Sequence, residues 1–126
     1  MNKNKLIFRI TTGLLALMYL GGGSRYFLEF QEMSDIFATL QFPRWLHPLL
    51  GVTKFMAVIS LLMILFNVKA NPKWLKEWTY AGIFFNATFA LIAHQMISEP
   101  FELSIPAIMV IILVIASRVL WGKVEQ

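Results

Sequence analysis

KEWTYAGIFFNATFALIAHQ, residues 76–95, is the stretch on which the fold turns. From Thr79 to Ala93 it holds no formal charge and no proline. At about 1.5 Å per residue, a helix of this length reaches roughly across a bilayer core. The stretch therefore predicts a membrane-spanning helix. Its interior is not uniformly apolar. Gly82, Asn86, Ala90 and Ala93 recur at helical spacing as a narrow face of small and polar residues. Tyr80, Ala87 and His94 repeat every seven residues on a neighbouring face. A helix meant only for lipid needs neither face. Helical neighbours are expected, the second span foremost, antiparallel and bringing Lys54 near the level of Ala90.

The rest of the chain agrees. It has 126 residues, 58% of them hydrophobic, and a mean hydropathy of +0.66, which places it among membrane proteins. Apolar runs at about 7–22, 48–66, 77–96 and 104–121 predict four spans in a single domain, 1–126. Short connections predict an all-α, membrane-embedded, up-down four-helix bundle. An extra amphipathic surface helix is expected between spans one and two. The net charge of +4 does not indicate nucleic acid, because the basic residues flank apolar runs and form no patch with interleaved aromatics. With no cysteine, disulfides, thiol redox chemistry and thiolate metal sites are excluded.

The first run resembles a signal peptide, with Lys3 and Lys5 before it and Gly21-Gly22-Gly23-Ser24 after it. Arg9 and the three later spans favour an uncleaved first helix. Thr11 and Thr12 are expected to bond backbone carbonyls, and the glycine run to stop or bend the helix. From Ser24 to Leu40, Tyr26, Phe30, Met33, Phe37 and Leu40 share one face, opposite Arg25, Glu29, Glu32, Asp35 and Thr39. That pattern predicts a helix lying along the membrane surface. Pro43 and Pro48 around Trp45 predict an interfacial turn. Lys3, Lys5, Arg9, Lys69, Lys73, Lys76, Arg118 and Lys123 fall on one side of the four spans, and only Arg25 and Arg44 on the other. The positive-inside rule then predicts a multi-pass protein of the cytoplasmic membrane with both termini cytoplasmic.

Polar residues inside the spans are the functional candidates. Lys54 lies about 10 Å below the outer boundary, and a lysine at mid-helix costs roughly 2.5–3.5 kcal/mol on insertion scales. Gly51 leaves space one turn above it. Asn86, His94 or Glu29 are the candidate neighbours for its ammonium. Lys54, Tyr80, Asn86 and His94 make up the candidate cofactor site, suited to an anionic or quinone-like head group. His47 and His94 both fall near the outer boundary, but two histidines without a motif are a poor basis for haem ligation. Glu77 and Arg118 both approach the inner boundary and can pair. No nucleophile–base pair, phosphate loop or metal-ligand spacing is present, so no catalytic residue and no metal ligand is assigned.

Gly51-Val52-Thr53-Lys54, the apolar run to Phe66, and Pro72-Lys73-Trp74-Leu75-Lys76-Glu77-Trp78-Thr79-Tyr80-Ala81-Gly82-Ile83-Phe84-Phe85 resemble the DoxX-like family of small four-span membrane proteins. Phe42-Pro43 fits as well. The chain departs from the pattern at Thr79, where alanine is usual, and at Ala93-His94, where a Ser-His pair is common. The family's namesake is associated with a membrane thiosulfate:quinone oxidoreductase, so the resemblance implies a link to membrane redox chemistry without supplying catalytic residues. Three functions follow as expectations. The first is an accessory or membrane-anchoring subunit, in contact with lipid and with a partner subunit or further copies of itself. The second is a quinone-linked redox subunit with a head-group site near Lys54. The third is a small transporter, disfavoured because span one lacks the acidic residue that small multidrug exporters use.

Overall fold

A computed structural model describes residues 2–124. All regular structure among them is helical: α1 (Lys3–Leu28), α2 (Phe30–Thr39), α3 (Leu46–Leu65), α4 (Lys73–Met96) and α5 (Ile105–Val124), with a 3₁₀ turn, Phe101–Ser104, leading into α5. Lys3–Leu28, Leu46–Leu65 and Phe101–Val124 are long and apolar enough to cross a membrane. α4, at 24 residues, matches them in length but carries Lys73, Lys76 and Glu77 at its start.

The helix ends follow from local chemistry. The Asn2 side chain accepts the Asn4 N–H at 2.8 Å and caps α1. Pro72 precedes α4, whose first turn needs no donor there. α2, α3 and α4 each close with a left-handed residue, Gln41 (φ 67°), Asn67 (φ 53°) and Ser98 (φ 56°). In α3, Asn67 N–H reaches the Ile64 carbonyl and Val68 N–H the Met63 carbonyl, the paired bonds of a Schellman motif.

α1 packs against both α3 and α5, and α4 packs against α5. α3 and α4 touch only loosely, so the cycle α1–α3–α4–α5 has one slack seam. The third span's principal neighbour is therefore α5, not the second span. The core is built from Leu15 and Tyr19 of α1, Val58 and Leu61 of α3, Ile83 and Ala87 of α4, and Val110 and Val114 of α5.

Three sequence expectations need correction. The glycine run does not end the first helix; α1 continues to Leu28. A break within hydrocarbon would expose backbone groups, and the glycines instead let α3 approach. A Cβ on Gly23 would lie 3.3 Å from the Lys54 Cβ, and one on Gly22 3.8 Å from the Lys54 Nζ. The amphipathic helix consequently begins at Phe30 rather than Ser24, after a break at Glu29 (φ −113°, ψ 50°). Its apolar face does turn inward, with Met33 and Phe37 buried. Nor is the space at Gly51 left empty: the Phe27 ring fills it, 2.9 Å from where a Cβ would stand, with the Tyr26 Cβ at 3.1 Å.

Gly51→Ala should therefore lower stability by about 1–3 kcal/mol, the usual cost of overpacking a tight contact. Gly13→Ala, whose added methyl meets nothing within 4 Å, should be neutral or slightly stabilising. Thermal unfolding of both variants in mild detergent checks the pair, and equal melting temperatures would contradict the packing described.

Candidate functional site

The polar residues of the spans fall into three groups, beginning at the end of the bundle where α1 starts, here called the inner end. Ser117 of α5 is fully buried, with its hydroxyl 2.6 Å from that of Thr12 in α1 and 2.8 Å from that of Tyr80 in α4. One serine thus ties three helices together. The Tyr80 ring stacks on Trp121, with centroids 6.0 Å apart. Beside them the Arg118 Nε lies 2.6 Å from Glu77 Oε1, and the guanidinium sits 4.7 Å over Trp121. The Glu77–Arg118 pair expected from sequence is formed. Thr11 bonds the Ile7 carbonyl as expected, whereas Thr12 turns to Ser117.

The second group lies between α1 and α3. Lys54 places its ammonium 4.3 Å from the centroid of the Tyr19 ring and 5.3 Å from that of Tyr26, so aromatic faces receive the charge. Neither Asn86, His94 nor Glu29 is its partner. Glu29 is taken by Arg25, at 2.7 Å, and Arg25 also reaches Glu32 at 2.9 Å. The hydrogen bond from Arg25 holds the Glu29 carboxyl below its ordinary pKa.

The third group borders two cavities along the slack seam. The cavity nearer the middle, about 450 Å³, is bounded by Tyr19, Thr53, Ala57, Ser60, Gly82 and Asn86, among others. At its inner edge Ser60 and Thr79 join hydroxyls at 2.6 Å across α3 and α4. The outer cavity, about 380 Å³, lies under α2. Met33, Phe37 and Leu50 supply apolar wall, and Tyr26, Asn86, Ala93 and His94 supply its other side. A largely apolar cavity of this size with a few converging polar groups has the character of a small-molecule site.

The structure thus brings Asn86 and His94 to one cavity. Lys54 stands behind Tyr26, which also lines that cavity. Tyr80 is apart, at the inner end. His94 is held by Glu99, its Nδ1 meeting the carboxylate, while Glu99 N–H bonds the His94 carbonyl. His47 is wholly buried, packed against Phe30, Phe37 and Tyr26 with ring centroids 4.3, 5.8 and 6.1 Å away, and neither nitrogen has a hydrogen-bond partner among the described residues. The two histidines make no contact with each other that would pair them, although Tyr26 and Phe37, which pack on His47, also line the cavity His94 borders. Sequence reasoning missed Ser117 and the double role of Tyr26. A lone serine in an apolar run is the only signal for the first; the second has none, because a helix that stops at the glycine run falls short of Tyr26.

The model for the DoxX-like family matches residues 10–117. The chain belongs to that family. No curated protein and no solved structure matches it.

If Ser117 is the shared partner, Ser117→Ala and Thr12→Val should each destabilise the protein by about 0.6–1.7 kcal/mol, the range for hydrogen bonds between membrane helices. The double variant should cost less than the sum, because both changes remove the same bond. A double-mutant cycle on unfolding in detergent measures this, and strict additivity would remove the link.

Proposed function

We propose that this DoxX-like membrane protein is an accessory or membrane-anchoring subunit of the cytoplasmic membrane. It forms one domain that crosses the bilayer four times, with both termini cytoplasmic. The observation that carries the reading is the slack seam between α3 and α4. There, Asn86 makes no hydrogen bond to any described residue, and a Cβ placed on Gly82 would meet nothing within 4 Å. Small residues on both walls suit the close approach of a further helix, and an unpaired carboxamide in hydrocarbon favours a partner that can bond it. α4 serves as the third of the four spans because its length suffices and its charged start falls where α3 ends.

The outer cavity favours a second reading, a quinone-linked redox subunit. Its apolar wall suits an isoprenoid chain, and Tyr26, Asn86 and His94 offer bonds to a ring carbonyl.

Two measurements separate these readings. A photoreactive side chain at position 82 or 86 should crosslink to a protein in native membranes, whereas one at Ile112, which faces outward at 61% exposure, should not. Equal labelling at all three positions would defeat the subunit reading. Quinone that copurifies with the wild type and is lost in Asn86→Leu and His94→Leu would favour the redox reading. Unaltered quinone reduction in Asn86→Leu membranes, with no quinone bound, would end it. For the topology, a reporter fused after Gln126, which lies outside the described residues, should be active only in the cytoplasm.

A further inference from the structure

The inner end of the bundle carries a cavity unlike the two on the seam. It measures about 320 Å³ and lies where the start of α1 meets the ends of α3 and α5. Lys5 and Arg9 border it, four residues apart and so on one face of α1. Asn67, in the left-handed turn that closes α3, adds a carboxamide. Behind these polar groups stand Phe8, Leu65 and the indole of Trp121.

We propose that this cavity binds a phosphate-bearing anion, with the phosphodiester of an anionic phospholipid as its natural source. Charge is the first argument. Two cations share the wall, yet no described carboxylate pairs with either; the nearby Glu77 is engaged by Arg118. Like charges one turn apart repel, and an anion between them converts that repulsion into two charge-assisted hydrogen bonds. Composition is the second. Guanidinium, ammonium and amide are all donors, which suits phosphate oxygens, while the phenyl and leucine behind them suit an acyl chain. Position is the third. The cavity lies at the ends of three apolar helices, the level at which head groups meet hydrocarbon, and basic pockets between spans are recognised head-group sites. The inference needs only that this end meets a membrane surface. It does not depend on the subunit role or on any partner.

The test is native mass spectrometry of the full chain in mild detergent, titrated with phosphatidylglycerol or phosphatidylcholine. The wild type should prefer phosphatidylglycerol, and Lys5→Gln/Arg9→Gln should weaken that binding by about thirtyfold, given about 1 kcal/mol per basic residue. Lys3→Gln/Lys73→Gln removes the same charge at the same end and should leave it within about twofold, since neither residue borders the cavity. Lys5→Arg/Arg9→Lys, which keeps both charges, should restore binding and controls for folding. Equal losses in the two glutamine doubles, or no preference for phosphatidylglycerol, would overturn the site. Inorganic phosphate, set against chloride at equal ionic strength, distinguishes the sources. Persistence of the lipid in phosphate assigns the site to phospholipid. Displacement by phosphate alone overturns the lipid source in favour of the free anion.

Discussion

A hydroxyl, amide or ammonium in hydrocarbon has no water to bond, so its partner must come from the protein. Much of the bundle's geometry depends on that constraint. Ser117 meets it by linking α5 to Thr12 of α1 and Tyr80 of α4, and Ser60 and Thr79 meet it across α3 and α4. Lys54 has no acid within reach among the described residues and uses the faces of Tyr19 and Tyr26. Apolar packing between membrane helices gains little over packing against lipid. These polar contacts therefore help select which helices meet and in what register.

The other determinant is how closely α1 and α3 approach. Gly22 and Gly23 admit Lys54 and Phe55, and Gly51 admits Phe27. The side chains brought together include both tyrosines that receive the ammonium. A helix ended at Gly21, as the glycine run implied, would place Tyr26 in a surface segment and deprive Lys54 of one of its two rings. The continuation of α1 to Leu28 and the accommodation of Lys54 are thus one structural fact. α2 follows from it, because the turn at Glu29 folds Met33 and Phe37 back over the ends of α1 and α3 and buries His47 beneath them.

The fold was legible because it is written in long-range averages. Hydropathy over twenty residues, basic residues beside the apolar runs and the 3.6-residue period of Tyr26 to Leu40 each survive ignorance of which helix touches which. The Glu77–Arg118 pair was legible for a similar reason, since both lie near the same boundary. The site was less legible. Depth places Lys54 near Ala90, but the direction in which a side chain leaves its helix depends on helix rotation, which depth does not set. Lys54 points to α1, so Asn86 and His94 share a cavity without it. Thr12 and Ser117 lie 105 positions apart, and nothing local distinguishes a hydroxyl that bonds its own helix, as Thr11 does, from one that crosses to another.

The constraint on polar groups also explains why the seam matters more than the lysine. Lys54 is costly to insert, which makes it conspicuous in sequence, but its charge is accommodated by two rings and a close glycine contact. Asn86 is cheaper and less conspicuous, yet it stands on the wall of both seam cavities with no partner among the described residues. An intramembrane group already matched within the bundle has little left to offer a ligand or a neighbouring helix; an unmatched one keeps its bonding capacity. On the function proposed above, the prominent charge serves the architecture, and the quiet carboxamide on the loosely packed face is where another molecule would be recognised.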